Sequence, residues 1–398
     1  MNPAINLQPL PSATSRSRLS EALLVATLIL AATSAGAYDD LTLLSDEFDD
    51  AGSLSNWLRI HETEGWNNDT LETFDANTTR PGQLVMMPHT SSWYEEYRGE
   101  LTYKLVTGDF VITTFVEPRN RAGTGRPERD YSLAGIMVRS PRSMTSPDQW
   151  TPLGQNYVFL SMGSANRATG GYDYEVKTTL DSVSTLVIEG AAATRATIQV
   201  ARIGPHLLML RRDEGGEWVV HRRYHRPDFP ATLQAGLTVY TDWDTCFAVG
   251  VENNNRLVLT NGVTLLGGGT LNNAQPDLVA TFDFVRFARP QVPAELTGAD
   301  LSNPGAVTDQ QLLAFLGEHA NVPGGAVTAP VFQDDLRVEG NALRVTADVV
   351  NQRSYRLQSR PAFGAPWVDA FTFISTNNVQ ALIQPLPPEP AFFRLISP

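Results

Sequence analysis

Several acidic pairs in this chain stand with one residue between them, and four are weighed as catalytic: Glu47 and Asp49, Glu128 and Asp130, Asp173 and Glu175, Asp242 and Asp244. In a strand, side chains at i and i+2 point to the same face, so each pair could present two carboxylates to one ligand. Two carboxyl groups about 5–5.5 Å apart carry out retaining glycoside hydrolysis, one as nucleophile and one as acid. The same spacing also arises cheaply on a solvated strand face, and that reading is preferred for all four pairs. Histidine offers less. His206, His221 and His225 gather around one hairpin beside Arg222, Arg223 and Arg226, and no His-Glu-x-x-His or Cys/His ligand spacing occurs. There is no Gly-x-Ser-x-Gly elbow, and Gly267-Gly268-Gly269 lacks the Lys-Ser/Thr of a phosphate loop. No catalytic residue and no metal ligand is therefore assigned.

The aromatic residues carry the stronger signal. Sugars present C–H faces edged by hydroxyls, so a Trp or Tyr ring beside Arg, Asn or Asp suits them. Trp93-Tyr94 runs into Glu95-Glu96-Tyr97-Arg98, and Trp243 sits between Asp242 and Asp244. Tyr172 and Tyr174 share a strand face, as do Tyr157 and Phe159, and Arg139 ends a strand on the face of Gly135 and Met137. The candidate ligand-binding set is Trp93, Tyr94, Arg139, Tyr157, Tyr172, Tyr174, Asp242 and Trp243, with core packing the alternative for each. Trp57, Trp218 and Trp367 read as core. The run His221–Arg226 reads as a hairpin edge blunted by charge, with reception of an acidic glycan as the alternative. No cofactor is required. Asn67-Asn68-Asp69-Thr70 with Glu72 and Asp75 offers oxygens that suit calcium, although an ordinary polar loop is the simpler reading.

The elements that would position these residues are strands. Period-2 alternation recurs at Leu101–Leu105, Phe110–Val116, Leu133–Val138, Tyr157–Met162, Ile198–Ile203, Leu207–Arg211, Trp218–Arg222, Leu233–Tyr240, Phe247–Val251 and Leu278–Phe287. Turn residues such as Thr107-Gly108-Asp109 and Asp213-Glu214-Gly215-Gly216 separate them, which predicts an all-β sandwich or jelly roll over 38–290. The stretch Asp244–Val249, holding the lone Cys246, also alternates like a strand and predicts a buried, inert thiol. A linker over 291–325 contains one short helix, opened by Thr308-Asp309-Gln310-Gln311 and striped by Leu312, Leu313, Phe315 and Leu316. Beyond it, 326–398 holds roughly 70 residues in six strand patterns, the size of a small fibronectin- or immunoglobulin-like module.

Arg16 and Arg18, an apolar run from Ala22 to Ala32 and Ala35-Gly36-Ala37 read as a secretory signal peptide over 1–37. No apolar stretch reaches the roughly 20 residues of a spanning helix, so the expectation is a protein without a transmembrane segment, secreted or held in the periplasm or cell envelope. Removing Arg16, Arg18 and Glu21 leaves 28 basic and 42 acidic residues, a net charge of −14, which argues against nucleic acid as a partner. With one cysteine, the chain forms no internal disulfide and relies on its core.

Certain segments resemble a known family. Leu44-Ser45-Asp46-Glu47-Phe48 with Trp57, Leu133–Arg139, Asn156-Tyr157-Val158-Phe159 and Ala280–Phe287 are similar to strands of concanavalin A-like lectin/glucanase domains, in the laminin-G-like and DUF1349-like branch of bacterial exported proteins. Ser354-Tyr355-Arg356-Leu357-Gln358, Trp367 and Phe392-Phe393-Arg394-Leu395 resemble a small β module found at the ends of secreted bacterial proteins. The resemblance implies a concanavalin A-like jelly-roll sandwich with ligands on a concave sheet face or in the rim loops. It also implies that an active member would carry Glu-x-Asp-x-x-Glu on one strand, which this chain lacks. The resulting expectation is non-catalytic recognition of a polysaccharide or cell-surface glycan. Its rivals are a glycoside hydrolase with a non-standard carboxylate pair and a structural envelope protein with protein partners.

Overall fold

The computed structural model describes residues 40–165 and 170–320 and, beyond them, six strands between 337 and 396. The expected signal peptide, Pro323-Gly324-Gly325 and Trp367 lie outside the described residues. Alternating residues build two seven-stranded antiparallel sheets. The front sheet has the order β1-β4-β13-β6-β7-β8-β9, from β1 (Leu58–Arg59), β4 (Glu100–Thr107), β13 (Thr232–Tyr240), β6 (Ser132–Arg139), β7 (Tyr157–Ser164), β8 (Asp173–Leu180) and β9 (Val183–Gly190). The back sheet has the order β12-β11-β10-β5-β14-β3-β2, from β12 (Val219–His225), β11 (His206–Asp213), β10 (Ala196–Ile203), β5 (Phe110–Arg119), β14 (Val279–Ala288), β3 (Leu84–Pro88) and β2 (Leu71–Ala76). Early strands pair with late ones, β4 with β13 and both β3 and β5 with β14, which is the wrapping of a jelly roll.

The core lies between the sheets. Ala134, Ile136 and Val138 of β6 and Val158, Leu160 and Met162 of β7 meet Ile112 and Val116 of β5, Ile198 and Val200 of β10 and Phe282 of β14. A second apolar layer covers the front sheet's outer face. Leu133, Met137, Tyr157, Phe159, Leu101 and Tyr240 alternate with the core residues and pack beneath Ile60 and Trp93. β6 and β7 are thus buried along their whole length on both sides.

A third layer covers part of the back sheet's outer face. Val111, Ala201, Ile203, Leu208 and Leu210 are overlaid by Leu296, Leu301, Val307, Leu312, Phe315 and Leu316, from the segment expected as a linker. Its helix (Asp309–Leu313) begins with a capping box, the Thr308 hydroxyl accepting from the Gln311 amide and the Gln311 side chain from the Thr308 amide. Arg223 fixes the segment by donating to the carbonyls of Leu301 and Val307 and pairing with Asp309. C-terminal to it, the six strands form two three-stranded antiparallel sheets. One is β15 (Arg337–Glu339), β16 (Ala342–Asp348) and β19 (Val379–Pro385); the other is β18 (Val368–Ile374), β17 (Ser354–Arg360) and β20 (Phe392–Ile396).

One local expectation is overturned. The region Asp244–Val251 is not a strand: α2 (Trp243–Val249) and α3 (Val251–Arg256) follow α1 (Ile60–Thr63) as short helices. Trp243, Cys246 and Val249 fit a helical stripe as well as they fit alternation, and a run this short does not separate the two periods. Gly250, at φ 81°, ends α2 in a conformation that a side chain would disfavour. Among the described residues no helix is long and apolar enough to cross a membrane.

Candidate functional site

On the outer face of the front sheet, alternation along β8 directs Glu175 and Lys177 away from the core, beside the rings of Phe159 and Tyr240. Lys177 Nζ lies 2.9 Å from Glu175 Oε1, donates to the Trp93 carbonyl at 2.6 Å and sits 5.1 to 5.9 Å from the ring centres of Tyr94, Phe159 and Tyr240. Both residues are buried, so this is an ion pair in an aromatic box beneath the 89–98 loop. Two further buried carboxylates have cations of their own. Arg139 donates to Glu64 at 2.6 Å and to Gln234 at 2.7 Å, and Arg59 donates to Glu100 at 3.1 Å and bridges to Asp69. His61, Asp69 and Glu100 come close enough to hold a metal ion, but Arg59 already joins the two carboxylates.

The loops above this floor are pinned by buried polar groups. Asp242, in left-handed backbone, accepts from Thr90 Oγ1 at 2.8 Å, the Gln275 amide at 2.7 Å and Arg129 Nη2 at 2.7 Å, tying three loops together. Arg98, fully buried with its guanidinium 5.0 Å from the Trp66 ring centre, donates to Asn68 at 2.7 Å and to the Asn255 carbonyl. Burial pulls its pKa down to about 10. These anchors hold an aromatic rim. Trp243 meets Tyr94 at 5.3 Å and Tyr97 at 5.0 Å, both edge-on, and lies 5.6 Å from Phe247, whose side of the rim is open with 66% of that residue exposed. Tyr131 borders the same region in left-handed backbone. Burial, then the Glu175 carboxylate, raises its phenol above the usual range. Left-handed non-glycine residues cost about 1–3 kcal/mol each, and Glu95, Tyr131 and Asp242 all border this rim.

The sequence-derived residues divide as follows. Tyr94 and Trp243 are partly exposed and form the rim. Trp93, Arg139 and Tyr157 are fully buried beneath it: Trp93 packs edge-on against Tyr157 at 5.3 Å, with Arg139 5.9 Å from its ring centre. Asp242 is buried as the loop anchor, so it positions Trp243 and is closed to solvent. Tyr172 and Tyr174 face the opposite way, into the inter-sheet core, where the Tyr174 hydroxyl donates to Asp213. Of the four acidic pairs, only Asp173 and Glu175 stand together on a strand, and both are buried. The basic run lies on the edge strand β12, as expected, and its charges are matched within the protein. Arg222 pairs with Glu189, Arg223 with Asp309 and Arg226 with Asp228, while His221 is buried against the Tyr174 ring. The oxygens weighed for calcium are engaged as well: Asp69 by Arg59, Asn68 by Arg98, Glu72 by Arg121 and Asp75 by Thr79. Phe247, the most open ring of the rim, carries no signal in the sequence, where Asp244–Val249 alternates like a strand although it folds as α2.

No family model matches the chain, and no curated protein matches it. Among solved structures it is similar to a functionally unknown protein from Saccharomyces cerevisiae, at 12% identity and TM-score 0.39, covering 60% of this chain and 98% of that one. A GH43 protein from Bacillus licheniformis is similar at 13% identity and TM-score 0.39, over 64% of this chain, which spans only 40% of that protein. A basic winged bean lectin solved with Tn-antigen is similar at 11% identity and TM-score 0.31, covering 59% of this chain and 98% of the lectin. These likenesses are weak, and the fold rests on the strand pairing given above.

Proposed function

We infer that this chain is an exported, non-catalytic recognition protein that binds a saccharide at the aromatic rim of the front sheet. The observation that carries the reading is the run of contacting rings Tyr94–Trp243–Phe247, exposed at one end. Ring faces of this kind stack on pyranose C–H groups, and the acid–base pair Asp244 and Arg129 beside Trp243 supplies polar groups for hydroxyls. Hydrolysis has less support, because Glu175, Glu64 and Glu100 are buried and each is joined to a cation. A general acid or nucleophile must reach the glycosidic bond.

A binding screen of the protein against a polysaccharide panel, with reducing ends assayed in the same wells, tests this reading. Retention without release is expected, and Trp243→Ala should weaken it about ten-fold or more, the usual cost of removing a central aromatic anchor. Release of reducing ends, or retention indifferent to Trp243→Ala, would sink it.

A further inference from the structure

A pocket lies on the back sheet, where the covering segment stops. Its buried apolar residues end at Leu316, and Gln199 closes the boundary by accepting from the Gly317 amide at 2.8 Å and donating to the Gly317 carbonyl. Past that line the sheet's outer face is open, forming a pocket of about 510 Å³. Strand register supplies its floor: Arg212 on β11 stands opposite Thr197 on β10, and Thr197 opposite Phe115 on β5. On the next strand the pairing of β14 with β5 slips between Phe282 and Val285, so Asp283 and Phe284 together oppose Phe115. A bulge of this type re-aims side chains, and here both residues line the pocket beside Phe115.

The charges around this floor are almost all matched within the protein. Arg286 stacks on Phe284 at 4.0 Å and is held by both Glu47 oxygens, Arg212 pairs with Glu318 at 2.6 Å, and Glu214 pairs with Arg195 at 2.6 Å. Asp283 is the exception. Its partner is the neutral amide of Gln83, and among the described residues no cation stands within ion-pair distance of it. Burial raises its carboxyl above the usual range, the nearby Glu117 carboxylate adds to the effect, and the Gln83 hydrogen bond and the more distant Arg195 only partly offset it.

We propose that this pocket binds an amine-bearing saccharide, the sugar's C–H face on Phe115 and Phe284 and its ammonium group on Asp283. A simple ammonium ion would leave most of the volume unfilled. A neutral sugar would leave the carboxylate without the partner that the rest of the lining possesses.

The test is calorimetric titration of the full chain with a glucosamine tetrasaccharide and, at the same pH and salt, with its fully N-acetylated counterpart. The free-amine sugar should bind at least ten-fold more tightly. Asp283→Asn, which keeps the acceptor for Gln83, should abolish that preference at an unchanged melting temperature, and Phe115→Leu should weaken binding with the preference retained. Equal affinity for the two sugars, a preference that survives Asp283→Asn, or no binding of the free-amine sugar would overturn the proposal.

Discussion

Lys177 illustrates how one side chain organises the front face. Its ammonium group is out of water, so its stability rests on Glu175, the Trp93 carbonyl and the surrounding rings. Breaking a buried pair from one side leaves an uncompensated charge and costs about 3–5 kcal/mol, whereas replacing both members with neutral groups is often close to neutral. Lys177→Met should therefore destabilise the protein by that amount in urea melts, and adding Glu175→Gln should recover most of the loss. Equal losses in the single and double variants would contradict the pairing. At this scale the sequence was partly legible. Aromatic residues beside charged ones marked Tyr94 and Trp243, but the same signature marked Trp93, Arg139 and Tyr157, which are interior. One run of residues does not reveal whether another loop lies over a strand face.

Elements tell a clearer story about what was readable. Strand positions followed from alternation, and the helix after Thr308 from its capping signal. Leu133-Ala134-Gly135-Ile136-Met137-Val138 contains no polar residue, the mark of a strand covered on both faces, so the expected open sheet face was already at odds with the sequence. The 294–319 segment was harder to place, since its Pro-rich start resembles a tether while its apolar stripe docks on Ala201, Leu208 and Leu210. Leu312→Ala should lower stability by about 2–5 kcal/mol, the cost of a cavity in a packed layer. A fragment ending at residue 290 should aggregate where one ending at 320 stays monomeric, because the shorter one bares that apolar face. Light scattering on the two fragments distinguishes a docked layer from a tether.

For the whole molecule, acid is the expected weakness. His221 is buried with Arg211 Nε donating to its Nδ1, and burial pulls its pKa down to about 4. Arg211 and Arg222 oppose its protonation, while Glu189 and Asp213 favour it less strongly than burial resists it. The unfolded chain takes up this proton near pH 6.5 and the folded one only near 4, so stability present above 6.5 falls as the pH drops through that window. The loss approaches about 3 kcal/mol for this residue, and His61 and His89, also lowered chiefly by burial, add to it in the same direction. Denaturation at a series of pH values should show the decline, and His221→Gln should flatten it. Cys246 gives the molecule something else. It is the chain's single thiol, fully buried in α2 between the Asp242 anchor and the aromatic rim, with burial holding it well above the ordinary thiol range. A thiol reagent meets it only when the rim parts from the sheet, so the rate of labelling becomes an internal clock for the opening of that one region, without any engineered probe.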